Sequence, residues 1–262
     1  MVTDLFHLQN QVAVVTGASR GIGKGIAIGF AQAGAKVVIG SRSEEDLVAV
    51  VEEIEDFGGE AVYVAGSLSE RTGMQQLVDA AVNEFGGISS VVNNVGGSMP
   101  SAFMDTTERA FSDALEWNVK TAFDLIQISA PLLAESGNGS VINIASAAGR
   151  FPSRGFAAYG TAKAAMIQLT IHASLDLAPR VRVNAIAPGA IKTSALDIVL
   201  TNEEIHDAMV SGTPMRRLGE VADITAAALY LASPAASYVT GQVLGVDGGI
   251  RSSNFDMGIP DI

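Results

Sequence analysis

The chain has 262 residues, 48% hydrophobic and 17% charged, so it can bury a sizeable core, and no apolar run reaches the ~18 residues that argue for a membrane span. Its net charge of −12 speaks against a broad nucleic-acid surface, so an anionic cofactor would have to be held by local groups. The absence of cysteine excludes disulfides, thiol catalysis and thiolate metal ligands, and the scattered His7, His172 and His206 form no ligand cluster.

The first residues, Met-Val-Thr-Asp-Leu-Phe-His, carry an early acid and no basic stretch ahead of an apolar one, so no secretory signal is expected and a cytoplasmic protein is. From there, short β-rich runs alternate with longer helical patterns. Strands are expected at 11–15, 36–40, 60–65, 89–93, 140–145, 181–186 and 242–246. Helices are expected at 22–33, 44–57, 70–85, 107–133, 157–177 and 221–232. Runs such as Val-Ala-Val-Val and Lys-Val-Val-Ile are almost continuously apolar, as in a parallel sheet covered by helices on both faces. The pattern predicts an α/β fold: one doubly wound Rossmann domain over residues 1–262 with a seven-stranded parallel sheet and no linker or repeat to divide it.

The first strand runs into Thr16-Gly-Ala-Ser-Arg-Gly-Ile-Gly23 and then a helix. Gly17, Gly21 and Gly23 permit a tight turn and a close approach of Ser19, Arg20 and Ile22 to a pyrophosphate at the helix N-terminus. The spacing departs from the usual Gly-x-Gly-x-x-Gly of dinucleotide folds. The second strand then ends Ile39-Gly-Ser-Arg42, with no acid before Glu44. A carboxylate there would repel a ribose phosphate, whereas Ser41 can hydrogen-bond it and Arg42 can pair with it, with Arg20 as a second cation nearby. These residues predict NADP(H) as the preferred cofactor, with NAD(H) possible.

Between Ser146 and Lys163 lies the stretch expected to carry the chemistry. Tyr159 and Lys163 are four residues apart in a helical pattern, on one face and about 6 Å apart along the axis. A fixed ammonium lowers the pKa of a nearby phenol, so Tyr159 could exchange a proton with an alcohol or ketone while the Ser146 hydroxyl holds the substrate oxygen. Taken alone, Tyr-x-x-x-Lys also fits an ordinary surface pair. His172, farther along this helix, is expected to be a packed or capping side chain.

Thr16-Gly-x-x-x-Gly-x-Gly23, Asn93-Asn-Val-Gly96, Asn118, Ser146, Tyr159-x-x-x-Lys163 and Pro188-Gly189 with Thr193 occur in the order and spacing of the classical short-chain dehydrogenase/reductase family, which the chain resembles from about Leu8 to Gly249. The resemblance implies that Tyr159 is the acid/base, Lys163 the cation that lowers its pKa and binds the nicotinamide ribose, and Ser146 the partner of the substrate oxygen. It implies that Asn118 holds a water in a proton relay. Asn94 and Gly96 would line the cofactor cleft, and Pro188, Gly189, Ile191 and Thr193 would hold the carboxamide. The third strand lacks the family's usual aspartate, leaving Ser67 and Leu68 for the adenine, and Val95 stands where alanine is usual.

The activity implied is hydride transfer between a nicotinamide and a carbinol carbon of a small-molecule alcohol or ketone. Regions that in ketoacyl reductases carry basic residues for an acidic carrier protein are almost without positive charge here. Asn93 to Pro100, Ile186 to Leu196 and Thr213 to Gly219 are more similar to bacterial hydroxysteroid dehydrogenases. Met99, Phe103, Phe151, Phe156, Leu196 and Met209 are expected to form an apolar wall for a bulky alicyclic substrate. The alternatives are a 3-oxoacyl reductase and a non-catalytic dinucleotide-binding regulator, although the latter would be expected to lack one of Ser146, Tyr159 or Lys163. The resemblance also implies a homotetramer built on residues 107–133, 157–177 and the final strand, with the tail from Arg251 crossing onto a neighbour.

Overall fold

The computed structural model describes residues 1–196, 200–254 and 259. Seven parallel strands form one sheet in the order β3-β2-β1-β4-β5-β6-β7: β1 (Val12–Thr16), β2 (Lys36–Ser41), β3 (Glu60–Ala65), β4 (Ser90–Asn93), β5 (Gly139–Ile144), β6 (Val181–Pro188) and β7 (Val243–Val246). Helices α1 (Gly21–Gln32), α2 (Glu44–Asp56), α3 (Arg71–Phe85), α4 (Glu108–Leu115), α5 (Thr121–Glu135), α6 (Ala157–Leu177), α7 (Glu203–Gly212) and α8 (Val221–Ala232) connect or flank them.

Strand alternation explains why the apolar runs need helices on both sides. Ala13, Val15, Val37 and Ile39 pack into one core with Ile26, Phe30, Leu47 and Ile224, while Val12, Val14 and Val38 pack into another with Leu77, Leu125 and Leu133. On the first face α1 and α8 cross closely. A side-chain carbon at Gly25 would stand 2.2 Å from Val221 Cγ1, and one at Gly29 would stand 2.3 Å from Thr225 Cγ2.

The winding reverses between β1 and its neighbour β4, where such sheets open a ligand crevice beyond the strand ends. Thr16 ties the two ends together. Its hydroxyl donates to the Val92 carbonyl (3.2 Å) and accepts from the Asn94 and Val95 amides (3.0 and 3.1 Å).

Two expectations change. The helix expected at 107–133 is α4 and α5 joined by a π turn, Glu116–Lys120. No helix is expected between residues 177 and 221, yet α7 lies there, capped by the Asn202 side chain, which accepts from the Ile205 amide at 3.1 Å. Among the described residues, no helix is long and apolar enough to cross a membrane.

Candidate active site

A cavity of about 580 Å³ opens at the crevice, bounded by the loop after β1, the ends of β4 to β6, the start of α6 and the segment after β6. Its inner end is assembled by close approach. Gly96 has no room for a side chain, because a Cβ there would lie 2.5 Å from Asn118 Oδ1 and 2.8 Å from Lys163 Nζ. Gly149 packs against the backbone of α6 in the same manner, with its virtual Cβ 2.7 Å from the Lys163 carbonyl carbon. The short turn Ala147–Gly149 that begins at Ser146 is thereby pressed onto the helix carrying Tyr159 and Lys163.

Ser146 continues from β5 in extended backbone, and its hydroxyl accepts from the Ala148 amide at 3.1 Å. Lys163 is only 3% exposed, donates to the Ile144 carbonyl at 2.8 Å and stands 5.7 Å from the centre of the Tyr159 ring. Burial lowers its pKa to about 8. Tyr159 reverses the sequence expectation. Burial pushes its phenol above the usual value, and the hydrogen bond with Ser146 offsets only part of that rise. The physical reason is that ionising a desolvated phenol creates an unsolvated anion, while the Lys163 ammonium binds a carbonyl and faces the ring.

Asn118 is fully buried in the π turn. Its amide donates to the Ala114 carbonyl (2.8 Å) and the Gly97 carbonyl (3.0 Å), and its Oδ1 accepts from the Gly97 amide (2.8 Å). Taking the carbonyl four residues back competes with the regular helix ladder, which accounts for the wider turn here. The side chain clamps the strap after β4, leaving one lone pair of Oδ1 for the expected water-holding role.

At the other end, α1 starts without a side-chain cap, so its first amides are left for a ligand. Gly17, Arg20, Gly21 and Ile22 line the cavity there. Gly23 must be glycine because a Cβ would sit 2.3 Å from the Gly17 carbonyl oxygen. The Asn94 amide donates to the Thr16 and Gly17 carbonyls, each at 3.0 Å, and Thr193 faces Gly21. Pro188, Gly189 and Ile191 complete this side. These groups suit a dinucleotide: uncapped amides for the pyrophosphate and a glycine floor that leaves room for it.

Ser19, Ser41, Arg42, Ser67 and Leu68 do not line the cavity. The loops that carry them are tied to one another, Gly17 donating to the Gly40 carbonyl (2.7 Å) and Gly66 to the Ser41 carbonyl (2.8 Å). Ser41 is buried with its hydroxyl toward the Ser43 carbonyl, Leu68 is a core side chain, and exposed Ser67 bonds Ser69. Arg20 and Arg42 are exposed and form no ion pair among the described residues.

Of the expected apolar wall, Met99, Phe151, Phe156, Leu196 and Met209 line the cavity; Phe103 does not and is 77% exposed. His172 is also exposed and hydrogen-bonds Gln168 rather than packing or capping. Sequence reasoning missed several lining residues, among them three in the tail. Ile250, Ser253 and Asn254 line the same chain's cavity, and no local pattern marks them. The rest of the tail lies outside the described residues, apart from Ile259.

A family model described as enoyl-(acyl carrier protein) reductase matches residues 17–251. An uncharacterised oxidoreductase of Mycobacterium tuberculosis is 52% identical over the full length of both chains. The 7α-hydroxysteroid dehydrogenase of Escherichia coli is 41% identical over 94% of this chain and 96% of its own. A solved 7α-hydroxysteroid dehydrogenase, complexed with NADH and 7-oxo glycochenodeoxycholic acid, superposes with a TM-score of 0.92 at 40% identity, covering 96% of this chain and 98% of its own. With the doubly wound sheet, the glycine-lined crevice and the Ser-Tyr-Lys cluster at its inner end, these likenesses establish the chain as an oxidoreductase of the classical short-chain dehydrogenase/reductase family, whose members bind NAD(P)(H).

Proposed function

We propose that this protein interconverts a ring-borne secondary alcohol and its ketone with NADP(H), using Tyr159 as the acid/base. The observation that carries the reading is the convergence of Ser146, Tyr159 and Lys163 at the inner end of the cavity, with apolar side chains around its outer part. Bound cofactor supplies or accepts the hydride. In the reductive direction the raised phenol pKa keeps Tyr159 protonated at neutral pH, so it can donate its proton to the developing alkoxide. Ser146 holds the same oxygen. Lys163, fixed by the Ile144 carbonyl, provides positive charge beside the phenol and a donor for the ribose, and Asn118 keeps the Gly96 strap against both.

The NADP(H) preference rests on Arg42 and Arg20, two exposed cations without ion-pair partners among the described residues, beside a rim with no carboxylate before Glu44. The alicyclic class rests on Met99, Phe151, Phe156, Leu196 and Met209, and on the fact that among the described residues only Arg20 and Lys163 bring charged side chains to the cavity lining. An acidic carrier protein would find no Lys or Arg at residues 131–139 and 172–177, the stretches that carry basic residues in ketoacyl reductases. A homotetramer completes the proposal, supported by the exposed Phe123 on α5, Leu175 on α6 and Leu244 on the edge strand β7.

The test is reduction of cyclic ketones by the wild type, Tyr159→Phe and Arg42→Ala with each nicotinamide. We expect Tyr159→Phe to lose 10²–10⁴-fold in kcat with NADPH binding retained, and Arg42→Ala to lose at least tenfold in NADPH affinity, about 1.4 kcal/mol, with NADH binding unchanged. Retained turnover in the first variant would reject the acid/base assignment. Equal binding of both cofactors by the wild type would reject the cofactor assignment.

A further inference from the structure

Three and four residues after Ile250, which is buried in the cavity wall, two consecutive side chains reach to two different elements that line the cavity. The Ser253 hydroxyl donates to the Ser153 hydroxyl at 2.9 Å, on the loop between β5 and α6. The Asn254 amide donates to the Met209 carbonyl at 3.2 Å and to Thr213 Oγ1 at 2.9 Å, at the C-terminal end of α7. Thr213 Oγ1 itself donates to the Met209 carbonyl at 2.8 Å, so Asn254 caps the last turn of α7 at the residue whose side chain enters the cavity. Gly212 allows this approach, because a Cβ there would lie 3.1 Å from Asn254 Cβ. Farther along, Ile259 rests against Gly155, whose virtual Cβ would be 2.6 Å from Ile259 Cδ1 and whose φ of +82° already excludes most side chains. The Gly155 carbonyl also accepts from Ser101, which ties this wall to the strap after β4.

From these contacts we infer that Ser253-Asn254 is a crossbar over the cavity that determines substrate size, with Asn254 as a positioning residue for Met209. The inference rests on the ketone-reductase reading above and deepens it. Without the crossbar, the Met209 carbonyl keeps, among the described residues, only the Thr213 hydroxyl beyond its own helix, and the end of α7 that carries Met209 is held less firmly in the wall. A two-ring substrate, which fills more of the cavity than a one-ring substrate, then loses more of its contact with the wall at Met209.

The test compares the wild type with Asn254→Ala, with the near-isosteric Asn254→Asp, which removes the donated hydrogen bonds, and with the double Ser253→Ala/Asn254→Ala change. Two readouts are taken on the full chain with NADPH: hydrogen exchange of residues 209–213 and 153–156, and kcat/KM for 2-decalone against cyclohexanone. The double variant should exchange faster in both segments, the two Asn254 variants faster at 209–213, and in all three the decalone-to-cyclohexanone ratio should fall at least tenfold. Unchanged exchange at 209–213, or an unchanged ratio, would overturn the crossbar. If the wild type reduces neither ketone while binding NADPH, the proposed function fails, and hydrogen exchange alone then decides whether the crossbar exists.

Discussion

Lys163 illustrates how a functional residue can cost stability. The residue is 3% exposed, its pKa is about 8 against an ordinary value of 10.5, and among the described residues its ammonium has one hydrogen-bond acceptor, the Ile144 carbonyl. Because the folded protein gives up this proton before the unfolded chain does, the unfolded state holds more protons between about pH 8 and 10, and stability gains from Lys163 as the pH rises through that window. Below pH 8 the cost of the buried charge is fully present, on the order of 3 kcal/mol. In the cofactor-free protein, Lys163→Met should therefore melt at a higher temperature than the wild type at pH 7, and the gap should close towards pH 10. A gap independent of pH in thermal unfolding monitored by circular dichroism would contradict this account. Tyr159 has the opposite sign: burial raises its pKa, so above the ordinary phenol value the folded protein holds this proton longer than the unfolded chain does, and stability falls as the pH rises further.

Packing between helices is set by small residues as much as by large ones. Gly25 and Gly29 are one turn apart on α1 and face Val221 and Thr225 of α8 at distances that leave no room for a methyl group. The start of α1 supplies the amides of the cofactor loop, so this crossing also fixes where those amides point. Gly29→Leu should destabilise the fold by about 1–3 kcal/mol through overpacking, measured by urea unfolding, with NADPH affinity of the folded fraction retained. Stability equal to the wild type would show that the two helices can move apart freely. The π turn joining α4 and α5 shows a different device: one buried asparagine replaces part of the helix ladder and turns towards Gly97. An apolar period cannot disclose it, since the same side-chain spacing fits a continuous helix across residues 107–133. α7 was hidden for another reason. Of its residues only Met209 is buried, so it has almost no apolar stripe, and its clearest local signal is the cap Asn202 followed by Glu203 and Glu204.

For the molecule as a whole, the free edge of β7 and the exposed Phe123, Leu175 and Leu244 are surfaces that a second copy of the chain would cover. Light scattering at micromolar concentration should give the mass of four chains, and Phe123→Asp with Leu175→Asp should give smaller species. A wild-type monomer would overturn the tetramer. The described part of the tail, through Asn254, lies across its own chain's cavity.

Strand and helix periods, the glycine loop and the Ser-Tyr-Lys order are legible along the chain because each depends on backbone geometry or on residues a few positions apart. The ends of α6 and α8 coincide with the sequence reading for that reason. Other features arise only when distant segments meet. The phenol pKa depends on how much water the surrounding chain removes, and Phe103 misses the cavity because of the direction its loop takes. Asn254 reaches Met209 across 45 residues. Desolvation and long-range contact have no signature in local spacing, so the sign of the Tyr159 shift and the outer wall of the site became visible only once the chain was folded.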